Sequence, residues 1–258
     1  MKGEFKMSKK VALITGASTG IGADSAVRLA KDGFDLAISS RSEAKLEPVA
    51  EQCRAEGAEV LVVTGDMSKE EDVKNVFQKT VEKYGRIDFY FCNQGVLMTP
   101  KVFEDQTLDD YYLVTENNFK SVFLCLIECI NIMKNQDYGN ILVTGSSSGI
   151  RPEAGFGVYS ASKHAVVGLV KDAAIECSQF NIRINCVCPG GILTPMTMKA
   201  GADIEKDYSV LRRSNPPMLP GREMGKPSDI SSLVSFIASD QCDYICGSVI
   251  SVDNGITQ

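Results

Sequence analysis

Val11-Ala12-Leu13-Ile14-Thr15-Gly16-Ala17-Ser18-Thr19-Gly20-Ile21-Gly22 joins a short apolar run to a glycine-rich turn and then to a helical pattern. The apolar run is strand-length and ends in a turn signal, so it reads as a buried strand; a helix from about Ile21 to Lys31 follows. Gly16, Gly20 and Gly22 let the backbone turn tightly and approach a pyrophosphate. The N-terminus of the next helix then offers free N–H groups and a positive dipole end to such an anion. The spacing, G-x-x-x-G-x-G, is not the commoner dinucleotide fingerprint, and alone it also fits a plain βα turn.

Outward from that turn, short apolar strands alternate with helical stretches. Strands are expected at Phe34–Ser39, Val60–Val63, Asp88–Cys92, Asn140–Thr144, Asn181–Cys188 and Ser248–Val252. Helices are expected at Glu43–Glu56, Lys69–Tyr84, Leu108–Lys134, from the Tyr159 region to about Phe180, and Pro227–Ser239. This order implies right-handed crossovers and a seven-stranded, doubly wound parallel sheet of Rossmann type with helices on both faces. No repeat or linker divides residues 1–258, so a single domain is expected. Residues 190–226 show no strand and carry Pro195, Pro216, Pro217 and Pro220. A stretch of that length inside a compact domain is usually functional, and it reads as a substrate lid.

Composition narrows the classes of partner. A net charge of −6 and the lack of a basic cluster interleaved with aromatics argue against nucleic acid. No apolar run reaches the length of a signal core or a membrane span, so a cytoplasmic protein is expected. Nine scattered cysteines then read as reduced thiols packed as small apolar groups. Cys186 and Cys188 share a strand face and Cys125 and Cys129 a helix face, but His164 is the only histidine and no metal site is expected.

Two patterns point to chemistry. Tyr159 and Lys163 are four residues apart and so share one helix face. A phenol is a poor base at neutral pH, but an ammonium one turn away favours its phenolate, which makes Tyr159 a candidate proton shuttle. At the end of the second strand the chain reads Ser39-Ser40-Arg41-Ser42, with no acid to hold adenosine ribose hydroxyls. Arg41 can pair with a 2′-phosphate and the serines can donate to it, which favours NADP over NAD. An Arg41 that only stacks on adenine would serve either cofactor.

Taken together these residues resemble the short-chain dehydrogenase/reductase family, over Val11 to about Gly255 and in that family's order. Gly145-Ser146-Ser147-Ser148-Gly149 ends the fifth strand, with Ser146 thirteen residues before Tyr159. Asn118-Phe119-Lys120-Ser121 resembles the family's asparagine motif, Asp66-Met67 its adenine contact, Pro189-Gly190-Gly191-Ile192-Leu193-Thr194 its nicotinamide-side turn, and Val252-Asp253-Asn254-Gly255 its terminal segment. The resemblance implies catalysis by Asn118, Ser146, Tyr159 and Lys163. Ser146 would stabilise charge on the substrate oxygen, and Tyr159 would exchange a proton with it. Lys163 would tune the tyrosine and hold the nicotinamide ribose, and Asn118 would position a water between Lys163 and solvent. The hydride would come from the cofactor. Implied cofactor contacts are Gly16, Ser18, Thr19, Gly20, Ile21, Gly22, Ser40, Arg41, Asp66, Met67, Asn93, Gly95, Tyr159, Lys163, Pro189, Gly190, Ile192 and Thr194. The expected activity is NADP(H)-dependent interconversion of a small free ketone and a secondary alcohol, with NAD(H) possible, in a homodimer or homotetramer.

The chain departs from the family in places. Cys92-Asn93-Gln94-Gly95 stands where Asn-Asn-Ala-Gly is usual, Asn117 precedes the asparagine motif, and Asn254 replaces a glycine. His164 is turned away from Lys163 round the helix and reads as packing or interface. Cys92, beside the cofactor region, reads as an inert buried thiol. Glu153 reads as a pocket contact or, at least as readily, as a solvated loop charge, and Arg212 and Arg213, which could meet an anionic substrate, read rather as exposed charges. Val122, Phe123, Leu126, Ile127 and Ile130 form a core or interface stripe, and Met196, Met198, Leu211, Met218 and Leu219 suggest an apolar pocket wall. A 3-oxoacyl carrier-protein reductase is the rival enzyme, but its acidic partner would want a basic rim, and Gln179-Phe180-Asn181 has none. A non-catalytic dinucleotide sensor is the rival from another class; the intact Ser146, Tyr159 and Lys163 set speaks against it.

Overall fold

The run ahead of the glycine turn forms β1 (Val11–Thr15), buried at all five positions. The computed structural model describes residues 9–202, 219 and 221–258. After β1 come α1 (Gly20–Lys31), β2 (Asp35–Ser40), α2 (Glu43–Ala55), β3 (Val60–Thr64), α3 (Glu70–Tyr84) and β4 (Phe89–Cys92). The second half holds α4 (Leu108–Val114), α5 (Ser121–Gln136), β5 (Gly139–Thr144), α6 (Gly157–Cys177), β6 (Ile182–Pro189), α7 (Pro195–Ala202), α8 (Pro227–Ala238) and β7 (Val249–Val252).

The strands form one parallel sheet in the order β3-β2-β1-β4-β5-β6-β7. Strands covered on both faces must be apolar throughout, which is why they appear in the sequence as unbroken runs rather than alternations. One core lies between the sheet and α3, α5 and α6, with Val76, Leu126 and Val166 among its buried residues. The other lies against α1, α2 and α8, around Leu29, Leu46 and Val234. Strand order reverses between β1 and β4, and a crevice opens there at the carboxyl ends of the strands.

The helical region expected at Leu108–Lys134 forms as α4 and α5 joined without a gap by a π turn at Thr115–Lys120, in which the Ser121 N–H bonds the Glu116 carbonyl five residues back. One expectation is corrected. Residues 190–226 are not without structure, because α7 forms at Pro195–Ala202 and Ile192 pairs with Gly225 in a parallel bridge. Arg212, Arg213, Leu211, Met218, Pro216, Pro217 and Pro220 lie outside the described residues. Among the described residues no helix is long and apolar enough to cross a membrane.

Candidate active site

The crevice is a cleft of about 480 Å³ that runs from the ends of β2 and β3, across the glycine turn, to the start of α6. Every residue expected at the site lines it except Gly22 and Asn118.

Gly22 acts from beneath. An added Cβ there would lie 2.2 Å from the Gly16 carbonyl oxygen, so only glycine lets α1 start against the turn. Gly16 has φ +66, and its Cβ position is 2.9 Å from the Gln94 backbone. Thr19 caps α1 without a side-chain hydrogen bond, and the first turn of α1 carries no acid. Gly20 and Ile21 at that start line the cleft, and the N–H groups of the first turn meet no side-chain cap or acid there, which is the donor set a pyrophosphate needs.

At one end the cleft is lined by Ser40, Arg41 and Lys45. Lys45 escaped the sequence reading, although its signal was present as a second cation just after β2. Asp66 follows β3 at the same end. Burial pushes its carboxyl pKa up, but hydrogen bonds from the Ser68 hydroxyl and N–H at 2.8 and 3.1 Å, together with the Arg41 cation, outweigh that and leave it lowered.

The other end gathers Ser146, Tyr159 and Lys163. Lys163 is buried, donates from Nζ to the Thr144 carbonyl at 2.9 Å, and lies 5.9 Å from the centre of the Tyr159 ring. Phe156 packs edge-on against Tyr159, with ring centres 6.1 Å apart. Ser146 lies just past the end of β5, and its Oγ accepts the Ser148 N–H at 3.1 Å, so its own proton is free to be donated. Gly149 allows this turn to rest on α6, because a Cβ would come 2.7 Å from the Lys163 carbonyl oxygen.

Asn118 is fully buried behind this end. Its Oδ1 accepts the Val96 N–H at 2.7 Å and its Nδ2 donates to the Val96 carbonyl at 3.0 Å, so the side chain is committed to the backbone. Gly95 lies between Asn118 and Lys163; a Cβ would meet the two at 3.1 and 3.7 Å. Asn93 donates to the Gly16 carbonyl at 3.2 Å and accepts from the Thr144 hydroxyl at 3.1 Å. The 93–96 segment therefore touches both ends of the cleft. Asn117 and Gln94, noted only as departures, also line it.

Other residues fall outside the site. His164 is exposed, with Nδ1 2.9 Å from the Ser160 carbonyl oxygen, and Glu153 does not line the cleft. All nine cysteines are unpaired, and all except Cys246 are buried. Cys186 and Cys188 do share a face, with sulfurs 3.8 Å apart. Burial pushes the Cys53 thiol up to about 11 and the Cys129 thiol well above its ordinary range, as inert packing groups require. At the Cys92 thiol, expected to be inert, burial is instead outweighed by hydrogen bonds with Cys125, Tyr90 and Gln94 and by the Lys163 cation, which leave its pKa lowered.

A sheet of this order with a glycine turn at its switch point defines a Rossmann-type protein. The sequence model described as short chain dehydrogenase matches residues 10–205, and the chain belongs to that oxidoreductase family. Levodione reductase of Leifsonia aquatica is 34% identical over 97% of this chain and 95% of its own. The crystal structure of 3-ketoacyl-(acyl-carrier-protein) reductase from Brucella melitensis, complexed with NADH, matches with a TM-score of 0.85 at 30% identity, over 96% of this chain and 98% of that one. YwfH, an NADPH-dependent reductase involved in bacilysin biosynthesis, matches with a TM-score of 0.87 at 28% identity, over 97% of this chain and 99% of that one.

Proposed function

We propose that this protein is an NADP(H)-dependent oxidoreductase that interconverts a small ketone and a secondary alcohol. The observation that carries the reading is one cleft with Ser146, Tyr159 and Lys163 at one end and Arg41 and Lys45 at the other. The glycine turn and the unscreened start of α1 suit a pyrophosphate, and Asp66 suits the adenine side. Pro189, Gly190, Ile192 and Thr194 suit the nicotinamide side. Such a cofactor, when bound, supplies or accepts the hydride.

The residues do the rest. Ser146 donates a hydrogen bond to the substrate oxygen as charge builds on it. Tyr159 gives that oxygen its proton in reduction and removes it in oxidation. Lys163, held by the Thr144 carbonyl, keeps a cation beside the phenol and can bind ribose hydroxyls. The Asn118 side chain is occupied by Val96, so any water link from this residue to Lys163 runs through its main chain. Val96 and Met196 line the cleft, and with Phe156 against Tyr159 they favour an uncharged, apolar substrate. Exposed Phe123 and Ile127 on α5 and Tyr112 on α4 support a homodimer or homotetramer. Nine unpaired cysteines accord with a reducing, cytoplasmic setting.

The test is NADPH consumption across cyclic ketones, diketones, keto-sugars and a 3-oxoacyl thioester, with NADH in parallel. Tyr159→Phe should lose about 10²–10⁴-fold in turnover while still binding cofactor. Arg41→Asp should shift preference towards NADH by about 10- to 100-fold, the worth of charge-assisted phosphate bonds of roughly 1.5–3 kcal/mol. Full activity of Tyr159→Phe would overturn the mechanism, and unchanged cofactor preference in Arg41→Asp would overturn the NADP reading.

A further inference from the structure

We infer that Gln94 is a positioning residue: its amide ties the base of the glycine turn to the π turn that carries Asn118, and so holds the two ends of the cleft in one register. Its catalytic meaning rests on the oxidoreductase reading above. The geometry is independent of that reading.

Gln94 joins groups from three elements. Its Oε1 accepts the hydroxyl proton of Thr15, the last residue of β1. Its Nε2 donates to the hydroxyl of Ser121, the first residue of α5, at 3.3 Å, with the sulfurs of Cys92 and Cys125 at 3.4 and 3.6 Å. Both ends extend further. The Tyr90 hydroxyl on β4 lies 3.1 Å from Thr15 Oγ1, and Ser121 Oγ donates to the Asn117 carbonyl at 2.6 Å.

These bonds form a chain with one polarity. Tyr90 donates to Thr15, Thr15 to Gln94, Gln94 to Ser121, and Ser121 to Asn117. Each hydroxyl uses one proton and one lone pair, and the amide uses both its ends. Tyr90 and Thr15 are fully buried and Ser121 nearly so. The chain is buried at its Tyr90–Thr15 end and reaches the cleft wall at Gln94 and Ser121. With every link satisfied it specifies one arrangement, because breaking the inner links strands a polar group away from water.

The consequence for the cleft follows from what each anchor carries. Thr15 leads directly into Gly16, and Asn117 precedes Asn118, which grips the Val96 backbone two residues beyond Gln94. Asn93, on the other side of Gln94, bonds the Gly16 carbonyl and the Thr144 side chain, and the carbonyl of Thr144 holds Lys163. A slip of the 93–96 segment would therefore move the phosphate turn relative to Lys163. An alanine at 94, the usual residue of the family this chain resembles, could make none of these side-chain bonds.

The test is Gln94→Met, which keeps the length and removes the hydrogen bonds, read first by hydrogen–deuterium exchange on the apoprotein. Amides of 93–96 and 115–121 should exchange about tenfold or more faster, with β2, β3 and α8 unchanged. Kinetically, kcat should fall about tenfold, with a smaller change in the dissociation constant of NADPH, as expected for a misplaced rather than missing group. Ser121→Ala cuts the next link and should give the same pattern, the double variant being no worse than either single one. Should Gln94→Met not fold, Ser121→Ala carries the test. Wild-type exchange at 115–121 in the variants would overturn the inference, and so would a uniform rise across the whole sheet. An inactive wild type would count against the oxidoreductase reading while leaving the exchange result to decide this one.

Discussion

Gly22→Ala offers a direct test of the phosphate turn. The added methyl carbon would lie 2.2 Å from the Gly16 carbonyl oxygen and 2.6 Å from the Asn93 Nδ2. Ordinary contacts between heavy atoms lie near 3.5 Å, so roughly 1 Å of separation must be found. Neither neighbour can yield freely. Gly16 is backed against the Gln94 main chain, with its own Cβ position 2.9 Å away, and Asn93 is held by Thr144 at 3.1 Å. Overpacking of this kind costs about 1–3 kcal/mol. Expressed wholly in binding, that is about 5- to 150-fold weaker affinity for NADPH. Any share expressed in stability would lower the melting temperature by about 2–4 °C per kcal/mol. Gly168→Ala is the matched control: it lies within α6, nothing is within 4 Å of the added methyl, and it should stabilise by about 0.5–1 kcal/mol. Calorimetric titration with NADPH and thermal unfolding read both effects. A Gly22→Ala protein that binds within twofold of wild type and melts at the same temperature would refute the steric account of the turn.

Three further outcomes are expected. Ser146→Ala should lower kcat by about 10²–10³-fold with unchanged NADPH affinity, measured by steady-state kinetics and titration. Asn118→Ala strips partners from the Val96 N–H and carbonyl and should destabilise by about 1–3 kcal/mol in urea unfolding. Asp229 caps α8 and has its pKa lowered, first by the Lys226 N–H at 2.8 Å and then by Arg222 at 2.7 Å. With the folded pKa below the unfolded one, its stabilisation is present above about pH 4 and is lost as pH falls through the folded value. Asp229→Asn should thus unfold about 1 kcal/mol more easily at pH 7, and that deficit should shrink as pH falls through the folded value; an equal deficit across the whole range would contradict the linkage.

Much of this architecture is legible in local sequence because the sheet is covered on both faces. Val11–Thr15 and Val60–Thr64 had to be apolar runs, and the glycines that follow β1 had to be glycines for steric reasons now visible at Gly16 and Gly22. The helical region at Leu108–Lys134 was legible, but its π turn at Thr115–Lys120 was not, since such a turn inserts no distinctive residue and the helical pattern continues through it. Gln94 stood out only as a departure. Its partners, Thr15 and Ser121, lie 79 and 27 residues away, and no local period reports such contacts. Asn254, noted only as replacing a glycine, also binds the Leu219 and Arg222 backbones with its side chain, another contact across the chain.

The start of α1, with no side-chain cap and no acid in its first turn, also bears on how the protein should be handled. Doubly charged oxyanions such as phosphate and sulfate match the donors proposed above for a pyrophosphate, and Arg41 and Lys45 line the same cleft and would extend that attraction. Buffers built on these ions would occupy part of the cradle and inflate the apparent KM for the dinucleotide. Chloride at matched ionic strength would only screen it. Kinetic constants gathered in phosphate and in an amine buffer would then differ for the same preparation, and purification on sulfate gradients would carry the effect into the assay.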